Sequence, residues 1–156
     1  LSIMNYVISE HKVTGVCATG IANYNGQENI AHLSVYFDDN CFAHFHVNWT
    51  SPVKIRRMMV GGDKKMLVFD DMENFEKKYD ALVQYRMGDM YSPKVAQTEA
   101  LALAADEFIK SINENRQPLT SGIDGLMVVK ILEASDISIK NRGELVEISS
   151  SNLISI

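Results

Sequence analysis

Cysteine is scarce: Cys17 and Cys41 are the only two. Two thiols cannot staple a small secreted fold, so stability must come from burial, and both fit a reducing intracellular setting as small core residues. Three prolines and nine glycines exclude a collagen-like or low-complexity chain. No apolar run approaches the ~20 residues that span a bilayer. Leu1 to Ser9 carries neither the basic stretch nor the cleavage site of a secretory signal. Basic charge is also in deficit, with 15 Lys and Arg against 20 Asp and Glu, a net −5 with His neutral. The densest basic cluster is the short Lys54-Ile55-Arg56-Arg57. A phosphate backbone needs a basic field, so nucleic acid is not the expected partner, and neither is a membrane. These absences point to a cytoplasmic protein.

What is present is a globular composition: 156 residues, 46% hydrophobic and 22% charged. That length suits one domain and can bury a core without disulfides or metal. A disordered chain would hold fewer large apolar side chains. The chain opens on Leu, inside an apolar stripe of Leu1, Ile3, Met4, Val7 and Ile8 with no N-cap ahead of it. A helix that begins so abruptly reads as cut, and the chain as a piece of something longer.

Val13 to Tyr24 favours strand, and Asn25-Gly26 marks a turn. Ile30 to Phe37 alternates, with Ala31, Leu33, Val35 and Phe37 on one face and Ile30, His32, Ser34 and Tyr36 on the other. Cys41 to Thr50 repeats the alternation, setting Cys41, Ala43, Phe45, Val47 and Trp49 against Phe42, His44, His46, Asn48 and Thr50. Joined by Asp38-Asp39-Asn40, the two runs predict a hairpin. After Ser51-Pro52, which interrupts pairing, Lys54 to Val60 and Lys65 to Phe69 read as strands around a Gly61-Gly62-Asp63-Lys64 turn. Phe75 to Arg86 reads as one or two short strands, and Gly88 to Lys94 as loop.

The pattern then turns helical. Over Ala96 to Asn113, Leu101, Ala104, Ala105, Phe108, Ile109 and Ile112 form one stripe, with Asp106 and Lys110 as an i,i+4 pair. Ser121-Gly122-Ile123-Asp124 has the form of a capping box with Asp in place of Glu. It opens a second helix to about Lys140, apolar nearly all round between Leu126 and Leu132 and so expected to be well buried. Gly143 suits the C′ position. Glu144 to Ile148 reads as a last strand. Antiparallel strands followed by helices make an α+β fold, an open, mostly antiparallel sheet with helices packed on one face. Residues 1–149 form the single domain and 150–156 a tail. The other sheet face, with Ile30, His32 and Tyr36 beside Phe42, His44 and His46, is too apolar for ordinary solvent and too polar for core. Such a face suits a subunit interface or ligand wall.

The ordered set Asn29-Ile30-Ala31, Phe37-Asp38-Asp39-Asn40, Asn48 through Arg56, Val60 through Asp71, Glu99-Ala100-Leu101, Glu107-Phe108-Ile109, Ser121 through Leu126 and Val128 through Ala134 resembles the C-terminal domain of the Gfo/Idh/MocA oxidoreductases. No single one of these segments is specific; their order over nearly the whole chain is. The resemblance implies a glyceraldehyde-3-phosphate-dehydrogenase-like C-terminal domain that forms a substrate wall and an oligomer interface. It also implies a separate N-terminal Rossmann domain, NAD or NADP as the cofactor of the full-length parent, and oxidation of a sugar, nucleotide-sugar or inositol hydroxyl. The family's Glu-Lys-Pro lysine and Asp-x-x-x-His histidine have no match here, nor does Gly-x-Gly-x-x-Gly. By resemblance, the chain begins just after the catalytic histidine. No catalytic residue, cofactor site or metal site is therefore assigned to it, and alone it is expected to be inactive. The rival reading is a stand-alone, non-catalytic binding or dimerisation module.

Four residues are candidate substrate contacts. Lys54, Arg56 and Arg57 could meet an anionic group such as a sugar nucleotide's phosphates; the plainer reading is a charged strand, with Lys54 and Arg56 on one face and Arg57 on the other. Trp49 could stack on a sugar ring, although sharing a face with Phe45 and Val47 favours packing in the core or at a domain junction. His44 and His46, with His32 expected across from them, are candidates for a homo-oligomer interface. Imidazoles at i,i+2 could begin a zinc site, but no convincing third ligand with a carboxylate nearby is evident from sequence. Asp70, Asp71, Glu73 and Glu76 lack EF-hand spacing and read as a turn. Asn48-Trp49-Thr50 is a glycosylation sequon by letter only.

Overall fold

The computed structural model describes residues 1–23, 26–70 and 99–149. In chain order these form α1 (Ser2–Val7), β1 (Val13–Ile21), β2 (Ile30–Phe37), β3 (Phe42–Asn48), β4 (Arg57–Gly61), β5 (Met66–Asp70), α2 (Ala100–Asn113), α3 (Gly122–Lys140) and β6 (Val146–Glu147). The stretches read as strands over Phe75 to Arg86 and as loop over Gly88 to Lys94 lie outside the described residues, as do Tyr24, Asn25 and the tail from 150. No helix among the described residues is long and apolar enough to cross a membrane. The chain divides into two compact units, Leu1–Thr50 with Thr98–Ile156, and Ser51–Gln97.

The first unit holds an antiparallel sheet of order β3-β2-β1-β6. The β2–β3 hairpin forms where the alternation puts it, and Asn40 turns it with φ +65°. Val16 lies opposite Val35, Ala18 opposite Leu33, and Leu33 opposite Phe45. These side chains therefore share one face, and α3 covers it. The core is Met4 from α1, Val13 and Val16, Val35 and Phe37, and Ile131 and Ala134. This is the expected α+β arrangement, an open antiparallel sheet with helices on one side.

Helix α3 departs from its expected deep burial. Its buried residues are Ile131, Ala134, Ser135 and Ser138, an i, i+3, i+4, i+7 stripe. Val129, Leu132 and Ile137 stay about half exposed, at 49%, 51% and 48%. A helix lying on one sheet buries only the stripe that touches it, whatever the rest of its surface is made of. Helix α2 carries the predicted apolar stripe, but Leu101, Phe108, Ile109 and Ile112 are exposed and only Ser111 is buried. The expected Asp106–Lys110 pair is present at 2.6 Å.

The ends of α3 follow the predicted chemistry. The Ser121 hydroxyl accepts the Asp124 N–H, and the Asp124 carboxylate accepts the Ser121 N–H at 2.6 Å, closing the capping box. At the far end the Gly143 N–H reaches back to the Ser138 carbonyl and the Arg142 N–H to that of Ile139, a Schellman pair. Arg142 rather than Gly143 takes the C′ place, with φ +58°, and Gly143 follows at φ +91°. A Cβ on Gly143 would also stand 2.9 Å from the Thr19 side chain, so two constraints select glycine there.

Strand β6 pairs with β1 only at Gly15 and Val16. Beyond it the outer edge of β1 has no strand neighbour among the described residues, and Ser138 takes over. Its fully buried hydroxyl accepts the Ala18 N–H at 2.8 Å and donates to the Glu144 carbonyl at 2.6 Å. The second unit is a β4–β5 hairpin in which Arg57 faces Asp70 and the Gly62 N–H closes on the Lys65 carbonyl at 2.9 Å. Strand β4 was expected from Lys54; it begins at Arg57, where the described ladder with β5 ends.

Ser138→Ala is expected to destabilise the fold by about 1–3 kcal/mol, because it strands a buried backbone N–H and a carbonyl together. Urea unfolding followed by circular dichroism measures this; an unchanged midpoint would show that the hydroxyl closes nothing that matters.

Candidate functional site

The face of the sheet opposite α3 is built by the same alternation that builds the core. Its cross-strand rows are Thr19–His32–His46 and Cys17–Ser34–His44, followed by the pair Tyr36–Phe42. The sequence placed His44 and His46 together with His32 across from them, and the structure brings all three together. The His32 and His46 rings stack with centroids 4.6 Å apart and planes within 5°. His44 also stacks with His32, with centroids 6.0 Å apart and planes at 26°. The Ser34 hydroxyl holds His44 Nδ1 at 3.0 Å. All three imidazoles are exposed, as is Phe42 at 65%. None of the face positions of β1, β2 and β3 carries Asp, Glu, Lys or Arg. The result is an aromatic and imidazole strip that can stack or coordinate but has no ion pair of its own.

The four candidate substrate contacts fall in two units. Trp49 belongs to the first and is 73% exposed, so of the core or domain-junction packing favoured for it, the core is not what the structure has. The ladder ends at Asn48, whose side-chain oxygen accepts both the Thr50 N–H and the Thr50 hydroxyl at 2.8 Å. That turn takes Trp49 off the strand, and alternation no longer sets its face. Lys54, Arg56 and Arg57 belong to the second unit. Lys54 and Arg56 precede β4, so strand alternation does not order them either. Arg57 is held across the hairpin by Asp70, with Nε and a terminal nitrogen 2.9 and 2.8 Å from the same carboxylate oxygen.

Sequence reasoning passed over a third group. His11 Nδ1 lies 3.2 Å from Asp39 and 3.8 Å from Asp38. Among the described residues these three alone group ligand atoms of three such side chains within 4.8 Å of one another. Asp38 also accepts the Lys12 N–H, and its own N–H returns to the Lys12 carbonyl. The cluster thus fastens the α1–β1 junction to the β2–β3 turn. No local spacing signals it, because His11 and the aspartates are far apart in sequence.

An open cleft of about 470 Å³ lies between α1 and the start of α3, lined among others by Asn5, Tyr6, Thr120, Ser121 and Asp124. Its polar groups are mostly hydroxyls and amides. Its carboxylate, Asp124, is occupied by the capping box, and the Ser121 backbone N–H, with help from the hydroxyl, holds it below the usual carboxylate range. The loop leading into the cleft is tied by Glu107. Arg116 grips both its oxygens at 2.7 and 3.0 Å, and the Leu119 N–H adds a bond at 3.0 Å. The guanidinium first, and the Leu119 N–H second, lower the Glu107 carboxyl to about 2.

No family model matches the chain, and no curated protein does. Solved structures do match in fold. One is GenD2 from gentamicin A biosynthesis, in complex with NAD, at 16% identity and a TM-score of 0.73, covering 96% of this chain and 45% of that one. Another is a probable dehydrogenase from Thermotoga maritima, at 19% identity and a TM-score of 0.66, covering 94% of this chain and 46% of that one. This chain therefore spans less than half the length of the structures it matches.

Glu107 has its carboxyl depressed on folding, so its contribution is complete above the ordinary carboxylate value near 4.5 and is lost as pH falls toward about 2. Thermal unfolding across that window should show the loss in the native chain and a flatter profile in Glu107→Gln, which should also melt lower at neutral pH. Equal pH profiles for the two would mean that the Arg116 clamp adds nothing in solution.

Proposed function

We propose that residues 1–149 are the C-terminal domain of a cytoplasmic NAD(P)-dependent oxidoreductase of the Gfo/Idh/MocA type. In this reading the domain supplies one wall of the substrate pocket and an oligomer interface, and the whole enzyme oxidises a hydroxyl of a sugar, nucleotide sugar or inositol. The observation that carries the reading is a fold that matches NAD-complexed GenD2 along almost its whole length while spanning under half of that protein.

Uncovered surface on both sides of the first unit supports it. On the helix side, exposed Leu101, Phe108, Ile109 and Ile112 on α2 suit burial against a Rossmann domain. On the sheet side, Tyr36, Phe42 and the three histidines suit a second copy of the chain. Hydride transfer requires the nicotinamide C4 held against the substrate carbon and a base for the hydroxyl proton. A strand–turn–helix for the pyrophosphate and the family's lysine and histidine would come from the remainder of the parent. Trp49, Lys54, Arg56 and Arg57 stay the candidate contacts to the sugar and any phosphate it carries.

Two outcomes test this. The chain alone should neither reduce NAD or NADP with sugar substrates nor bind them by calorimetry, whereas the full-length parent, assayed against a panel of sugars and nucleotide sugars, should do both. Cofactor reduction by the isolated chain, or a parent inert with both cofactors, would overturn the reading; an inert parent would favour the stand-alone module.

Self-association is read separately. Sedimentation at micromolar concentration should show at least a dimer, and Phe42→Glu, which places a charge on the neutral strip, should shift it to monomer. A monomeric native chain would remove the sheet face from the interface.

A further inference from the structure

We propose that His32, His44 and His46 form a binding site for one divalent transition-metal ion of the zinc class, with a fourth coordination position left open. The inference stands on the sheet register and does not rest on the dehydrogenase reading.

His32 and His46 are directly opposed on β2 and β3, and His44 sits diagonally from His32 and two residues before His46. Opposed residues on a sheet face have Cβ atoms ~4.5–5.5 Å apart, diagonal ones ~7–8 Å, and i,i+2 neighbours about 6.6 Å. Three imidazoles on a triangle of that size can turn their nitrogens onto a common point above the sheet. The stacking of His32 with both of its neighbours sets the three rings side by side, with their nitrogens still to be turned onto one point. Exposed side chains change rotamer on the picosecond-to-nanosecond scale, so the step from stacked to converging rings meets little barrier.

Ser34 supplies an independent sign. Its hydroxyl engages His44 Nδ1, leaving Nε2 as the free nitrogen. A ligand histidine whose second nitrogen is held by a neighbouring polar group is the usual arrangement around zinc. Three neutral histidines and an open position match the donor set of zinc sites that keep a water or an exogenous ligand. Glutamate, aspartate, lysine and arginine are absent from the facing positions of β1–β3, so no fixed charge competes for the imidazoles or repels the ion. The other titratable groups on that face are the Cys17 thiol, the Tyr36 phenol and, at the far β6 edge, Glu147.

The test titrates Zn²⁺ into chelator-treated chain by calorimetry and Co²⁺ by its visible absorption, which is intense for a four-coordinate ion. One ion per chain is expected. His32→Ala, His44→Ala and His46→Ala should each weaken binding at least tenfold, and Ser34→Ala roughly tenfold, in the range that second ligands' supports contribute. His11→Ala should leave it unchanged. The three histidines are exposed and Ser34 and His11 partly so; a histidine variant that loses its circular dichroism spectrum is replaced by the corresponding His→Gln. Lack of saturable binding, binding indifferent to the three histidines, or binding abolished by His11→Ala, which would put the ion at the Asp38–Asp39 cluster, would each overturn the proposal.

Discussion

Everything in the first unit follows from a sheet that can cover only one of its faces. Side chains along a strand point alternately up and down, so β2 and β3 cannot send Leu33, Val35 and Phe45 to the helix without sending His32, Ser34 and His44 the other way. With α3 on one face and no described helix or strand on the other, one set becomes core and the other becomes surface. A slip of one residue in the hairpin would exchange the two sets, burying three imidazoles under α3 and exposing the core. The same register thus fixes the stability of the fold and the composition of its open face.

The edge of that sheet presents a second constraint. β6 is only Val146–Glu147, too short to cover β1. The backbone groups beyond it still need partners, since a buried N–H without one costs more than a made bond returns. Ser138 answers this from the helix, and the Schellman turn through Arg142 and Gly143 delivers the chain to the point where β6 can start. Helix end, serine and short strand act as one closure. That closure explains the hydroxyl at the end of the buried stripe of α3, whereas Ser135 within the stripe donates its own to the Ile131 carbonyl.

Much of this was legible in the sequence, for physical reasons that can be named. Alternation in Ile30–Phe37 and the run after Asn40 fixed the hairpin and its faces. Ser121 and Asp124 announced the start of α3 because capping is a local interaction. Where the outcome depended on what lies across space, the sequence pattern fell short. It measured how apolar α3 and α2 are, but not how many neighbours they have, so their exposed flanks were not foreseen. It carried strand alternation past Asn48 to Trp49 and back from Arg57 to Lys54, where the ladders have already stopped. It could suggest but not secure that His32 stands over His46, because that depends on the length of a turn. The His11–Asp38–Asp39 cluster joins distant segments and leaves no periodic trace at all.

The chemistry-bearing groups of the described chain divide accordingly. Four carboxylates are spent on local structure: Asp124 on its cap, Glu107 on Arg116, Asp70 on Arg57 and Asp38 on the Lys12 backbone. Each is engaged by a partner that holds a turn or a helix end, and for Glu107 and Asp124 that partner stabilises the charged form and lowers its basicity, which leaves both poorly placed to accept a substrate proton. The imidazoles of the open face have no such employment. Among the described residues their one polar tie is the Ser34 hydroxyl on His44, and the rings stack on one another. In the described residues the two kinds of group are thus separated, these carboxylates serving turns and helix ends and the imidazoles standing on the open sheet face.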